Sequence, residues 1–352
     1  MQLEQLLNRP TAWLQREEPS SIVVSTRVRL ARNLTGSPFP AWGGEDACEK
    51  VWQRLHPVLA NLTSLADCLS IGMAEVPKLE KSMLVERHLI SREHSEKGKG
   101  SGMVVSADET VSIMVNEEDH LRIQVIHPGM NLSQSWQRID ALDTEIEGQV
   151  DYAFSPRLGY LTSCPSNVGT GMRASAMLHL PALSLADEIN PVVKGLNKIG
   201  LAVRGMGGEG TEATGHFYQV SNQITLGRNE RKVVEELEQI ILELVEHEKN
   251  ARLRLLEGNE PLIRNHVGRA LGVLKNAWIL TSKEALELLS GARLGTEMGL
   301  IRSLNSLEID ELMLVAGPAH LQRLEGKRLK AKDRDVMRAT LVRGRVAAGE
   351  IA

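Results

Sequence analysis

Val111-Ser-Ile-Met-Val-Asn-Glu-Glu-Asp-His-Leu-Arg-Ile-Gln-Val-Ile126 holds two apolar runs separated by five polar residues. Residues 111–115 are apolar, and 121–126 alternate as Leu-Arg-Ile-Gln-Val, so both runs read as strands. The five residues between them leave room only for a hairpin turn. The pair is therefore antiparallel, and the turn presents three consecutive carboxylates.

Working outward, the same grammar repeats. Residues 22–25 are rich in β-branched residues and lead straight into Arg27-Val-Arg29. Residues 160–165 read as a strand that ends at Pro165, and 201–204 and 218–226 as two more, joined by a loop with glycines at 205, 207, 208, 210 and 215. Helical spacing marks 46–67, 133–152 and 173–180, with a short helix over 3–14 interrupted at Pro10. Residues 94–102, HSEKGKGSG, are a polar loop. Strands linked by turns too short for crossover helices predict an α+β fold with a mainly antiparallel sheet flanked by helices. From Lys232 onward the pattern is helical throughout (232–256, 260–280, 282–289, 295–304, 308–317 and 332–345). This places a boundary near Glu257-Gly258-Asn259 and predicts an α+β domain over 1–255 and an all-helical domain over 256–352.

Bulk properties exclude several classes. A net charge of -4 with 24% charged residues does not suit a general nucleic-acid binder, and no apolar run approaches a membrane span. Three cysteines, none in a CxxC pair, fit a reducing compartment, and the N-terminus lacks a signal-peptide pattern, so a cytoplasmic location is expected. Residues 321–352 carry nine Lys/Arg against four acids, which suits either a solvated helix face or an anion site.

The chemistry rests on arginines and carboxylates. Arg27, Arg29, Arg122, Arg173 and Arg204 lie where strands meet loops, and Arg27 and Arg29, two apart on a strand, share a face. Arginine pairs bidentately with phosphate oxygens and keeps its charge, so such a set suits phosphoryl transfer, which is mostly positioning and electrostatics. The P-loop pattern GxxxxGKS/T and the GxGxxG and HRD signatures of protein kinases are absent. Glu117-Glu118-Asp119 and Glu209-Gly-Thr-Glu212 are either solvated turns or carboxylates that clamp a planar cation. Deprotonating a guanidinium of pKa about 13 at neutral pH would cost roughly 8–9 kcal/mol, so the proton must leave as a new bond forms. Cys164, before Pro165, is either a small buried hydrophobe or a thiolate beside a cation.

In order along the chain, Val24-Ser-Thr-Arg-Val-Arg29, Asn116-Glu-Glu-Asp-His-Leu-Arg122, Cys164-Pro-Ser-Asn-Val-Gly-Thr-Gly-Met-Arg173, Arg204-Gly-Met-Gly-Gly-Glu209 with Thr211-Glu212, and Tyr218-Gln-Val-Ser-Asn222 with Leu226-Gly227 resemble the motifs of the phosphagen (guanidino) kinase family. The resemblance spans about 20–250. Only 24 residues precede Ser25, so the helical domain that small-molecule guanidino kinases carry there is lacking, and a helical extension follows instead. That arrangement is similar to the bacterial protein-arginine kinase branch, as is Arg334-Asp-Val-Met-Arg338-Ala339, which matches its RDxxRA element.

By this resemblance, Ser25, Arg27, Arg29, Arg122, Arg173 and Arg204 would bind the ATP phosphates, and His88 in Glu86-Arg-His-Leu-Ile-Ser91 would border the adenine. Glu118 and Glu209 would clamp and deprotonate the acceptor guanidinium, with Cys164 beside it, and the 205–215 loop would be a mobile lid. Mg²⁺ would ride on the nucleotide with few or no direct protein ligands. Arg334, Asp335, Arg338 and Ala339 would form an allosteric phosphoarginine site. The implied partners are arginine-bearing protein substrates, an activator protein, a Clp-type unfoldase/protease system or a stress-response repressor, and a second copy of the chain. Autophosphorylation is implied as well. Two other readings stay open: a kinase for free arginine or a related small molecule, and a non-catalytic phosphoarginine reader.

Overall fold

The computed structural model describes residues 1–15, 22–205 and 214–351. Among the described residues twelve strands are formed: β1 Val23–Arg32, β2 Leu69–Gly72, β3 Gly102–Val105, β4 Val111–Val115, β5 Leu121–Pro128, β6 Phe154–Ser155, β7 Gly159–Tyr160, β8 Met172–His179, β9 Leu201–Gly205, β10 Phe217–Asn222, β11 Ile301–Arg302 and β12 Glu350–Ile351. The helices are α1 Leu3–Leu7, α2 Pro40–Ala60, α3 Lys78–Glu86, α4 Arg92–Ser95, α5 Leu132–Glu147, α6 Pro181–Leu185, α7 Ile189–Lys198, α8 Glu230–Asn276, α9 Ser282–Glu297, α10 Ser306–Val315, α11 Pro318–Glu325 and α12 Ala331–Val346. Eight strands form one sheet in the order β2-β3-β4-β5-β1-β8-β10-β9.

The chain divides into two compact units. The first comprises Met1–Trp13, Ser25–Ala176 and Ser221–Ile240. Its centre is the 111–126 hairpin, where β4 and β5 pair antiparallel with Val115 opposite Leu121, and β5 pairs in turn with β1. Ile113, Val115, Leu121, Ile123 and Val125 are fully enclosed. Ile139, Leu142 and Ile146, at helical spacing on α5, are buried, and α5 packs against β5. On α2, Val51, Leu55 and Leu59 are buried likewise. Gly102 is obligatory there, because a Cβ at that position would lie 2.3 Å from the Trp52 ring.

The second unit comprises Leu14–Val24, Met177–Val220 and Ile241–Ala352. It is built on α8, α9 and α10 around a buried polar network. Arg293, fully buried, pairs with Asp310 and Glu297 at 2.8 Å each and donates to His179 Nδ1. Arg252 pairs with Glu297 and with Glu248, whose carboxylate accepts the N–H groups of Ala182 and Leu183 at the start of α6. Each charge in this network has a partner, which low-polarity surroundings require.

Several expectations change. Residues 173–180 are not helical but form β8, inserted between β1 and β10. Met172, Ala174, Ala176 and Leu178 are buried on one face and Ser175 and His179 on the other, and the slot in the sheet overrides the helix preference of alanine, methionine and leucine. Of the 160–165 run only Tyr160 is extended, as the second residue of β7, and Pro165–Asn167 is a 3₁₀ turn. The helix expected over 133–152 stops at Gly148. Helices 232–256 and 260–280 are one element, α8, bent where Asn259 adopts φ −152° just before Pro261. Residues 295–304 are the end of α9 followed by β11, which pairs with β12 in a two-residue ladder within the otherwise helical C-terminal region.

Candidate active site

Register places the first arginines. Ala31 on β1 faces Arg122 on β5, and Arg29 faces Gln124. Because side chains alternate, Ser25, Arg27, Arg29 and Arg122 project from one face of the sheet. Arg173 stands on β8, the next strand over, and its charge reaches Arg27 and Arg29. Burial and then the neighbouring Arg122 and Arg173 lower the Arg27 pKa to about 10, and Arg29 is lowered well below the ordinary value by burial and by Arg27, Arg122 and Arg173. Among the described residues no carboxylate pairs directly with Arg27 or Arg29, and Arg29 Nε is buried without a hydrogen bond. Guanidiniums crowded in this way suit a polyanion, and the orphaned Nε is a donor for one of its oxygens.

Glu117 is the carboxylate that sequence reasoning missed as a separate player. Both of its oxygens accept from Arg122 Nη1 at 2.7 Å, and Ser91 Oγ donates to Oε1 at 2.5 Å. Arg122 and the hydrogen bonds from Ser91 and the Glu118 N–H outweigh burial and hold its pKa down to about 2. Strand register gives no signal for this pair, because Arg122 lies opposite Met114 and Glu117 sits within the turn, so the guanidinium reaches back along the hairpin to meet it.

The turn that carries Glu118 is heavily braced. Asn116 adopts a left-handed φ of 58°, which asparagine tolerates, and its Nδ2 donates to the carbonyls of Cys48 and Gly100. Asp119 Oδ1 accepts from Asn33 Nδ2 at 2.6 Å and from the Ser163 N–H at 2.7 Å. His120 Nδ1 accepts from the Leu34 N–H, so its Nε2–H donates to the Pro38 carbonyl. Glu118 is the one exposed residue of this turn. Its pKa is raised by partial burial and by the charges of Asp119 and Glu117, a shift that suits a proton acceptor.

Cys164 is half-exposed, with Sγ 3.0 Å from Ser166 Oγ. The residue before it, Ser163, bonds to Asp119 through its N–H and to the Glu118 carbonyl through Oγ, so the Cys164 segment is attached to the Glu118 turn. His88 has a left-handed φ of 60°, its carbonyl accepts from Gln124 Nε2, and its ring lies 5.1 Å from Trp13. Burial and Arg27 lower its pKa to about 4, so the imidazole is neutral at physiological pH.

The remaining expected residues lie elsewhere. Arg204 is near the end of β9, in the second unit. Glu209, and with it Gly207, Gly208, Gly210 and Glu212, lie outside the described residues. In the second unit Arg338 is almost fully buried on α12, donating to the carbonyls of Ala316 and Leu280 and pairing with Asp335 at 2.6 Å. Ala339 is buried beside it, while Arg334 is half-exposed and donates to the Leu329 carbonyl.

Residues 50–251 match the family described as ATP:guanido phosphotransferase, C-terminal catalytic domain. The chain belongs to this family. Residues 260–350 match the protein-arginine kinase McsB C-terminal domain. The chain is 42% identical over 348 residues to the protein-arginine kinase of Halothermothrix orenii, covering 98% of this chain and 99% of that one. It is 45% identical over 341 residues to the protein-arginine kinase of Moorella thermoacetica, covering 96% and 97%. The crystal structure of lombricine kinase superposes with a TM-score of 0.59 at 26% identity, over 68% of this chain and 71% of that one. The ATP:guanido phosphotransferase signature thus covers the residues that hold Glu118, Arg122, Cys164 and Arg173.

Proposed function

We propose that the chain is a protein-arginine kinase, transferring the γ-phosphate of ATP to the guanidinium of arginine side chains in proteins. The observation that carries this reading is the pairing of a carboxylate-poor arginine face with the exposed, pKa-raised Glu118 on a braced turn. Near full-length identity to protein-arginine kinases supports the choice of acceptor.

Arg27, Arg29, Arg122 and Arg173 bind and orient the triphosphate, with Ser25 on the same face and Arg204 contributing from β9; His88 borders the adenine. Mg²⁺ would ride on the nucleotide with few or no direct protein ligands and would supply positive charge to the transferred group. Glu118, with Glu209 as its counterpart, aligns the acceptor nitrogen in line with the γ-phosphorus. As the N–P bond forms and the bond from phosphorus to the β–γ bridging oxygen breaks, the acceptor proton passes to Glu118 and ADP leaves. Cys164 lies beside the guanidinium.

The helical region beyond 256 carries dimerisation, and Arg334 and Asp335, on the base formed by Arg338 and Ala339, read phosphoarginine. An activator protein, Clp-type proteolysis and a stress-response repressor are the surrounding partners this reading implies. No helix among the described residues is long and apolar enough to cross a membrane.

The test is to supply labelled ATP, Mg²⁺ and an unstructured arginine-containing protein, with Glu118→Gln in parallel. Acid-labile label that Glu118→Gln fails to produce is expected, because N-phosphates hydrolyse in acid. Acid-stable label would place the phosphate on a hydroxyl and overturn the reading.

A further inference from the structure

Arg122 is held by one edge only. Among the described residues its hydrogen bonds run from Nη1 to the two oxygens of Glu117, which leaves Nη2 and Nε for a ligand. Glu117 is fixed in turn by the Ser91 hydroxyl at 2.5 Å and by the Glu118 N–H at 3.0 Å. The Ser91 hydroxyl is itself oriented, since it accepts from the His94 N–H at 2.9 Å where it caps α4. Its one proton is therefore directed at Glu117.

The segment that presents Ser91 is stitched to the sheet at two further points. Gln124 Nε2 donates to the His88 carbonyl and Ser112 Oγ to the Leu89 carbonyl, both at 2.7 Å. Residues 88–91 are thus a short strap, with His88 at one end and the Ser91–Glu117–Arg122 chain at the other. Glu117 carries a full negative charge, and an acceptor that must serve both Nη1 and a hydroxyl cannot rotate without losing one of them.

We propose that Ser91 is a positioning residue for the phosphate-binding Arg122, acting through Glu117. The proposal rests on the assignment of Arg122 to the ATP phosphates. Without the hydroxyl, Glu117 keeps its ion pair and the Glu118 N–H but loses the bond that fixes Oε1, and the free edge of Arg122 is held less firmly toward the phosphate. The affected quantity is affinity for the phosphate portion of the nucleotide, with the nucleoside portion untouched.

The experiment measures binding of MgATP and of adenosine to the full chain carrying Arg122→Ala, Ser91→Ala, Ser91→Thr or Ser91→Asp. Threonine keeps both the cap and the donor. Aspartate keeps the cap but removes the donor and faces Glu117 with a like charge, so it separates positioning from helix capping. Ser91→Ala is expected to weaken MgATP about tenfold, the scale of one hydrogen bond to a charged group. Adenosine affinity should be unchanged, Ser91→Thr should restore MgATP to within about twofold, and Ser91→Asp should bind no better than alanine. Wild-type MgATP affinity in Ser91→Asp, or equal losses for adenosine and MgATP in Ser91→Ala, would overturn the proposal alone. An unchanged MgATP affinity in Arg122→Ala would overturn the phosphate assignment and the proposal with it.

Discussion

At the residue scale the site is a problem of charge. Among the described residues four guanidiniums share a small volume with one buried carboxylate, Glu117, and Arg29 keeps a buried Nε without a hydrogen-bond acceptor. Arg29→Ala is therefore expected to weaken ATP binding by about 10- to 100-fold, the worth of a charge-assisted hydrogen bond, measured by calorimetric titration. Unchanged affinity would remove that contact. Glu118→Gln should lower the transfer rate by about 10²–10⁴ in single-turnover measurements while ATP affinity stays within about twofold. Loss of both together would contradict its role as proton acceptor. His88 supplies a pH signature. Its folded pKa of about 4 lies below the ordinary 6.5, so between those values the unfolded chain binds the proton first. Its contribution is thus unchanged above pH 6.5, declines as pH falls toward 4, and levels off below. His88→Asn should flatten the fall in urea midpoint over that window, and an unaltered slope would show that the imidazole already titrates at its ordinary value.

At the element scale, the hairpin over 111–126 was legible because its determinants are local: period-two alternation and a five-residue turn. The shared face of Arg27 and Arg29 followed from the same periodicity. Three things were not legible. β8 carries Ala174, Ala176, Met177 and Leu178, good helix formers, and only the slot between β1 and β10 makes it a strand. β2 and β3 are four residues each, too short for a pattern to declare itself. The Ser91–Glu117 bond joins residues 26 apart, and no local rule links a helix cap to a hairpin carboxylate. The RDxxRA element shows the converse, since the motif was visible but its inner arginine is a structural anchor as well. Arg338→Ala should cost about 2–5 kcal/mol of stability, because it leaves the carbonyls of two buried residues, Ala316 and Leu280, without their donor and half-exposed Asp335 without its partner. Half-exposed Arg334→Ala should cost less than about 1 kcal/mol. Chemical denaturation of both variants checks this, and equal costs would contradict the division between anchor and rim.

At the scale of the whole molecule, the family signature over 50–251 is followed by a helical region with its own buried ionic network and its own match over 260–350. The catalytic chemistry belongs to all ATP:guanido phosphotransferases, and what distinguishes this chain is the acceptor it serves. The most direct measurement compares kcat/KM for arginine within an unstructured polypeptide against free arginine, with the same MgATP concentration. A ratio strongly favouring the polypeptide, with acid-labile phosphate recovered on its arginines, is the result predicted. Comparable or greater turnover of free arginine would contradict the account and make the chain a small-molecule guanidino kinase.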